Sequence, residues 1–336
     1  MSVNRATIPI SNVVDILKVV ERRGIDPVKV LERANVSRAL LESNLSRLTQ
    51  PQFTAVIRQV VRATRDEFWG LGRRPVTIGT FSSACRIALA QRTLGEAVRA
   101  GLHHYRLCTD DITGRLWMND GVARIRVVST VDDPMPGRLL QATFLYFLYG
   151  LMCWYAGRRV PLLRADFAFA RSQASDDAVR AFNTEVRFDQ PSSELHFPEA
   201  WLKTGCVQDS YTLDALLRES PGSLAVGFRD RTTMSERLTR LLRQNLSESI
   251  DLDYAASHLA ISAATLRRRL AIDGHSFQGL KDVIRRDASI ELLHGTNQTL
   301  EQIAEALGFS DVSTYHRAFK RWTGSAPGDY RRKSHA

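Results

Sequence analysis

The last third of the chain contains an internal repeat, which constrains the fold more than any other feature of the 336 residues. The apolar pattern of residues 252–262 returns 48 positions later, at residues 300–310, and continues after one inserted residue. The matched residues are Leu252, Ala255, Ala256, Leu259, Leu266 and Leu270 in the first copy and Leu300, Ile303, Ala304, Leu307, Tyr315 and Phe319 in the second. Their spacing is helical on both sides of a short corner. The repeat therefore predicts two pairs of helices, each pair joined by a tight turn.

The corner of each copy has residues suited to a sharp turn. Gly308 can adopt the left-handed backbone conformation that ends a helix abruptly, and Ala260 stands at the equivalent place in the first copy. A serine follows two positions later, Ser262 in one copy and Ser310 in the other. We expect each serine to cap the next helix by accepting a backbone N–H.

The second helix of each copy carries a polar and basic outer face. The outward residues are Ala264, Thr265, Arg267, Arg268 and Arg269 in the first copy and Val312, Ser313, His316, Arg317, Lys320 and Arg321 in the second. Such a helix fits the major groove of DNA, which is about 12 Å wide and in which arginine can bind guanine edges. The alternative is a solvated face on an ordinary helical hairpin. Because the pattern occurs twice in register, DNA binding is favoured over a solvated face.

A single long helix is predicted between the two copies, from Ser276 to about His294. Its apolar residues repeat on one side, namely Phe277, Leu280, Ile284, Ala288 and Leu292. A helix of this length spans about 28 Å, and two helices that read one face of DNA lie about 34 Å apart. One chain can therefore present both motifs to two successive major grooves.

The net charge suits an anionic partner but does not locate its binding site. The formal net charge is +10, a value that favours nucleic acid or an acidic surface. Residues 230–336 carry 16 basic and 13 acidic side chains, whereas residues 1–229 carry 30 and 23. The C-terminal part is the less basic of the two, so the argument for DNA depends on the local pattern of the repeat.

Residues 1–220 predict an N-terminal domain of mixed α+β class. Helical spacing begins near Ser11, Pro27, Pro51 and Thr93. Strands are predicted at 112–118 and 122–128, around the hairpin signal Asn119-Asp120-Gly121, and at 164–170, 186–188 and 194–197. Breaker residues follow, so we expect a linker at 221–231. Beyond it, 232–336 is predicted to be an all-α DNA-binding domain with two helix-turn-helix units joined by a long helix.

Residues 139–156 form a nearly continuous apolar stretch. Its length just reaches the transmembrane threshold, but a helix buried within a globular domain is the preferred interpretation. Its rings, Tyr146, Tyr149, Trp154 and Tyr155, either line an effector pocket or fill a core, and core packing is favoured. With four widely spaced cysteines and no signal segment, we expect a cytoplasmic protein with no membrane partner.

The sequence contains no recognisable catalytic constellation. It lacks the HExxH, GxSxG and Walker-type patterns. His103, His104 and Cys108 suggest a metal site, but adjacent histidines on a helix point about 100° apart. We therefore predict no enzyme activity, no cofactor and no metal.

Residues 303–331 resemble the C-terminal signature of the AraC/XylS family of bacterial transcription regulators. The matching patterns are Ile-Ala-x-x-Leu-Gly-Phe-Ser, Phe-Lys-Arg-Trp-x-Gly and Pro-x-x-Tyr-Arg, while Thr265–Leu270 and Gly274–Phe277 resemble the family's first DNA-reading motif. The resemblance implies base contacts from Ala264, Thr265, Arg267, Arg268, Val312, Ser313, Thr314 and Arg317. It implies phosphate contacts from Arg269, Lys320 and Arg321. The sequence departs from the family at Ala260, often glycine, and at Ser289, usually alanine.

Residues 10–205 resemble, in order and length, the arabinose-binding-like N-terminal domain of one branch of this family. That resemblance implies effector sensing or dimerisation. The favoured hypothesis is a DNA-binding transcription activator controlled by a small-molecule effector, with RNA polymerase as a partner and a second copy of the chain as a candidate partner. The alternatives are a regulator whose first domain only dimerises or binds a protein, and an enzyme domain fused to a DNA-targeting module.

Overall fold

The structure is a computed structural model that describes residues 6–171, 182, 184–226, 233–248 and 250–335. The chain forms two compact units. The sheet unit contains Asp15–Val30 and Thr54–Arg229, and the repeat unit contains Met1–Val14, Leu31–Phe53 and Asp230–Ala336. The predicted division into 1–220, 221–231 and 232–336 does not anticipate the N-terminal segments of the repeat unit. Residues 227–231 of the predicted linker lie outside the described residues.

Helices make up most of the regular structure in the described residues. The helices of the first two thirds are α1 (Ser11–Arg22), α2 (Pro27–Arg33), α3 (Gln50–Thr64), α4 (Thr80–Leu89), α5 (Leu94–Cys108), α6 (Pro134–Ala156), α7 (Ser210–Glu219) and α8 (Gly222–Ala225). The helices of the last third are α9 (Met234–Gln244), α10 (Leu252–His258), α11 (Ala263–Ile272), α12 (Phe277–Gly295), α13 (Leu300–Ala306), α14 (Val312–Thr323) and α15 (Pro327–His335).

The sheet unit is built on a five-stranded sheet. Two short strands near the N-terminus, β1 (Ile8–Pro9) and β2 (Arg47–Leu48), precede its members, which are β3 (Ile112–Asn119), β4 (Val122–Ser129), β5 (Arg164–Asp166), β6 (Val186–Arg187) and β7 (Ser193–Pro198). Their order is β3-β4-β7-β5-β6, with only the β5–β6 pair parallel. Asp120 and Gly121 both have positive φ, 52° and 75°, as a type I′ hairpin turn requires. The predicted hairpin is confirmed.

Two features of the sheet unit differ from the sequence prediction. The strand predicted at 164–170 ends at Asp166. Helix α4 was not predicted, because its N-terminus is capped by a residue distant in sequence. The Glu67 carboxylate accepts the backbone N–H groups of Gly79 and Phe81, each at 2.7 Å. A local pattern of residues does not reveal a cap of this kind.

The repeat unit is helical throughout its described C-terminal residues, which confirms the all-α prediction. Its N-terminal segments add the antiparallel β1–β2 pair. They are tied to α12 and α15 by polar side chains, since the Thr7 hydroxyl donates to the Asp287 carboxylate at 2.6 Å and the Arg47 N–H donates to the Tyr330 hydroxyl at 3.1 Å. Predicted as one helix, α12 runs unbroken from Phe277 to Gly295.

Candidate nucleic-acid interface

The two corners of the repeat have the same backbone conformation. Ala260 has φ 56° and Gly308 has φ 69°. At the first corner the N–H of Ala260 donates to Ser257 O at 2.9 Å and that of Ile261 to Ala256 O at 3.0 Å. The second corner repeats both bonds, from positions 308 and 309 to 305 and 304, at 2.9 and 3.0 Å. This pairing is the Schellman pattern, so alanine in place of the family's glycine leaves the turn unchanged.

The caps of the two outer helices differ from each other. The hydroxyl of Ser262 accepts the N–H of Thr265 at 3.2 Å, which confirms the predicted cap of α11. For α14 the prediction of Ser310 is wrong, because the cap is Asp311, whose carboxylate accepts the N–H of Thr314 at 2.7 Å. That backbone hydrogen bond lowers the pKa of Asp311. A fixed negative charge therefore lies at the start of α14.

Helix α11 presents three consecutive arginines to solvent. Leu266 and Leu270 are 0 % and 1 % exposed and anchor the helix in the core of the first motif. The side chains of Arg267, Arg268 and Arg269 are exposed and form no ion pair or hydrogen bond among the described residues. Ala264 is exposed and Thr265 is half-buried beside them. The predicted residues of the first motif therefore lie together on one accessible, strongly basic helix.

Helix α14 is anchored by its aromatic face and uses its polar groups locally. Tyr315 and Phe319 are fully buried, while Ser313 and Arg317 are exposed and Val312 and Thr314 are half-buried. The Thr314 hydroxyl donates to the Asp311 carboxylate at 2.8 Å, and the Arg317 guanidinium donates to the Thr314 hydroxyl at 3.2 Å. Thr314 and Arg317 would have to give up these internal hydrogen bonds to make the predicted base contacts. The three arginines of α11 need no such exchange, whereas the Thr265 hydroxyl lies 2.9 Å from that of Ser262.

The predicted phosphate-binding residues differ in their availability. Arg269 and Lys320 are exposed, and neither side chain has an ion-pair partner among the described residues. Arg321 instead forms an ion pair with Asp282 of α12, with Nη2 at 3.2 Å from Oδ2. A phosphate must therefore compete with Asp282 for the Arg321 guanidinium.

Two residues of α12, Arg285 and Ser289, hold the second motif in place. Arg285 donates to the carbonyl of Gly308 at 2.9 Å, and its guanidinium carbon lies 4.8 Å from the centre of the Phe309 ring. Ser289 is fully buried, with its hydroxyl 2.7 Å from that of Tyr315. The hydroxyl that replaces the family's alanine thus satisfies a buried phenol.

The sheet unit contains a cavity of about 570 Å³. Its lining is mainly aliphatic and aromatic and comes from α3, α4, α5, α6, α8 and the segments beside them. On α6 the lining residues are Leu140, Thr143, Phe144, Phe147, Leu148, Leu151, Met152 and Tyr155. They recur at helical spacing, so the sequence contained a signal for this face.

Three aromatic residues of α6 for which an effector pocket was the alternative to core packing do not line this cavity. Tyr146 and Tyr149 donate their hydroxyls to the carbonyls of Ala225 and Val160, at 2.9 and 2.8 Å. Trp154 packs edge-on against the Tyr155 ring, with 5.1 Å between the centroids. The fourth ring of the stretch, Tyr155, does line the cavity, and the buried Tyr149 agrees with the favoured interpretation of core packing. Successive residues of a helix point about 100° apart, so neighbours in sequence separate readily between core and cavity.

The other predicted features also have definite places in the structure. Helix α6 is long and apolar enough to cross a membrane by length and composition alone, which is weak evidence from a single helix. In the sheet unit it packs against α5, α8, β4 and β7.

The two adjacent histidines considered as metal ligands contact different residues. His104 Nε2 lies 2.8 Å from the Ser83 hydroxyl, while His103 contacts Arg106. Among the described residues, no cluster of three metal-binding side chains is found.

Comparison with known proteins assigns both parts of the chain to families. Residues 24–205 match the family described as the arabinose-binding domain of AraC transcription regulators, and residues 255–333 match a helix-turn-helix domain. Over 326 residues the chain is 25 % identical to the ornithine utilization regulator of Pseudomonas aeruginosa, covering 96 % of each protein. It is 25 % identical over 162 residues to the regulator VqsM of the same species, covering 47 % of each. The solved structure of the P. aeruginosa transcriptional regulator CdpR is 21 % identical, covers 82 % of this chain and 96 % of its own, and has a TM-score of 0.33.

Proposed function

The chain belongs to the AraC family of transcription regulators, with an N-terminal arabinose-binding-type domain and a C-terminal helix-turn-helix domain, and we propose that it activates transcription by reading two successive major grooves. In this proposal α11 reads bases through Ala264, Thr265, Arg267 and Arg268. Helix α14 adds contacts from Val312, Ser313, Thr314 and Arg317. The phosphate contacts come from Arg269, Lys320 and Arg321.

The observation that carries this proposal is the row of unpaired arginines on α11. A buried or paired guanidinium would have to break internal bonds before meeting a base, whereas these three are exposed and unpartnered among the described residues. The internal bonds of α14 and its Asp311 charge favour a division of labour. We infer that α11 supplies most of the sequence specificity and α14 more of the anchoring.

Arg268→Ala tests the assignment of α11. One bidentate arginine–guanine contact is worth about 1–3 kcal/mol, so specific binding should weaken about 5–150-fold. The operator is first found by a genome-wide binding map, and affinity is then measured by fluorescence anisotropy on the full chain. Arg38→Ala, which removes one exposed charge outside both motifs, is the control. Unchanged operator affinity in a folded Arg268→Ala protein would show that α11 is not the reading helix.

We also propose that the sheet unit binds a small-molecule effector. The cavity of about 570 Å³ supports this reading over one in which the unit only dimerises or binds a protein, since ligand pockets commonly have volumes of about 300–1,000 Å³. RNA polymerase and a second copy of the chain are proposed partners, and the cytoplasm is the proposed location. The relatives are transcription regulators, and we propose no catalytic activity for this chain. The effector is tested by measuring operator binding of the purified protein in the presence of metabolites of the pathways that neighbouring genes encode. If none of these metabolites changes operator binding, the sheet unit serves dimerisation alone.

A further inference from the structure

The side chains around the cavity of the sheet unit indicate what kind of molecule can occupy it. Among the described lining residues, aliphatic and aromatic side chains dominate, including Ile57, Val61, Leu102 and Phe147. A sugar or a free amino acid would lose its hydrogen bonds to water there without replacing most of them. The lining therefore favours a ligand with a largely hydrocarbon body.

The charged residues of the lining indicate the head group. They are Arg58, Arg62 and Glu67. Both carboxylate oxygens of Glu67 already accept backbone N–H groups at the start of α4, and Arg58 donates to the Arg218 carbonyl at 2.7 Å. Arg62 is exposed and has no ion pair or hydrogen bond among the described residues. Among the lining residues that the structure describes, Arg62 is therefore the one cation without an internal partner, and the Glu67 carboxylate is already occupied by α4.

We propose that this cavity binds an apolar monocarboxylic acid, with its hydrocarbon body inside and its carboxylate on the Arg62 guanidinium. The inference rests on the proposed effector function of the sheet unit and specifies the chemical class of that effector. Arginine presents a planar pair of donors that matches the two oxygens of a carboxylate. Arg62 lies one helical turn from Arg58 on α3, so two positive charges lie on the same side of the proposed ligand.

Gly101 of α5 provides an independent probe of occupancy. It lines the cavity, and a Cβ built there meets no heavy atom within 4 Å. Gly101→Leu therefore places a branched side chain in the space assigned to the ligand body. Leucine is a better helix former than glycine, so the substitution fills the cavity without weakening α5. Gly101→Ala adds one methyl group and is the matched control.

The experiment is calorimetric titration of the full chain with decanoate, decanol and arabinose. We expect saturable one-to-one binding of decanoate, weaker binding of decanol and none of arabinose. Arg62→Gln should weaken decanoate binding about tenfold and leave decanol binding unchanged, because only the charged head is affected. Arg62→Lys should keep most of the preference for decanoate. Gly101→Leu should abolish binding of both compounds, whereas Gly101→Ala should weaken it only a few-fold.

Three outcomes would overturn the proposal: no saturable decanoate binding, equal loss of decanoate and decanol affinity in Arg62→Gln, or normal binding in Gly101→Leu. Circular dichroism of each variant shows whether it is folded. Operator binding by anisotropy is measured separately, without ligand. If the operator binds normally but decanoate does not, the ligand class is wrong and DNA reading stands. If decanoate binds but the operator does not, the ligand class stands and the assignment of DNA reading is wrong.

Discussion

Exchanging the residues at the two corners tests why glycine is needed at one and not at the other. Ala260 and Gly308 share a left-handed backbone conformation, but their surroundings differ. Ala260 is exposed, so its methyl group projects into solvent. A Cβ added to Gly308 would lie 2.7 Å from the carbonyl oxygen of Leu246 and 3.0 Å from that of Ser247. Both neighbours are backbone atoms, which cannot move aside cheaply.

The magnitude for Gly308→Ala follows from three terms. A left-handed alanine costs about 1–2 kcal/mol, and crowding against packed atoms costs about 1–3 kcal/mol. Reduced freedom of the unfolded chain returns about 0.5–1 kcal/mol. We therefore expect destabilisation of about 3 kcal/mol. Ala260→Gly removes the cost of a left-handed alanine, about 1–2 kcal/mol, but gives the unfolded chain more freedom, which costs about 0.5–1 kcal/mol. It involves no crowding, so it should stabilise the first motif by about 0.5 kcal/mol.

Hydrogen–deuterium exchange on the full chain measures the effect locally. Peptides from α13 and α14 report opening of the second motif, and peptides from α10 and α11 report opening of the first. Gly308→Ala should accelerate exchange of the protected amides of the second motif about 100-fold. Ala260→Gly should leave exchange in the first motif unchanged or slower. Equal effects of the two substitutions would refute the argument from crowding.

The remaining predictions concern packing, DNA anchoring and pH. Ser289→Ala leaves the buried Tyr315 hydroxyl without a partner, so urea denaturation should show a loss of about 1–3 kcal/mol. Adding Tyr315→Phe should recover most of that loss, and a double variant as unstable as the single one would contradict this account. Lys320→Ala should weaken binding to all DNA sequences alike and reduce the salt slope by about one in anisotropy titrations; a loss confined to the operator would contradict the phosphate role. The pKa of Asp311 is lowered by the N–H of Thr314. Its stabilisation of α14 should therefore be present above the ordinary carboxyl pKa and disappear as pH falls through the depressed one. Asp311→Asn can still cap the helix but cannot titrate, so exchange in α14 of this variant should lose that acid dependence, and an unchanged acid transition would assign it to another group.

Much of the repeat unit could be predicted because its signals are local. Helical spacing, a positive-φ corner and a cap two residues later are all encoded within about 20 neighbouring positions. The same holds for the hairpin at Asp120 and Gly121, whose turn type is set by those two residues. The mistaken cap at Ser310 shows the limit of such reasoning. Serine and aspartate are both good caps, and only the backbone geometry distinguishes adjacent candidates.

The cavity in the sheet unit was less predictable because its lining comes from residues that are distant in sequence. The N-terminus of α4 is capped by the carboxylate of Glu67, which lies more than ten positions earlier in the chain. The cavity is lined by side chains from at least five helices. On α6, the choice between Tyr149 as core and Tyr155 as lining follows from what packs against each face of the helix. Hydropathy alone does not distinguish these faces, since both are apolar.

The sequence by itself determined the two DNA-reading motifs, their long connecting helix and the basic character of α11, because helix period and turn chemistry are properties of short segments. Only the tertiary structure decided which basic residues are available and which side chains line the cavity. Arg268 and Arg321 are the same residue type on equivalent outer faces, yet one is unpaired among the described residues and the other is held by Asp282. Such differences arise from contacts between segments far apart in the chain, and the energy of a charge depends on those contacts.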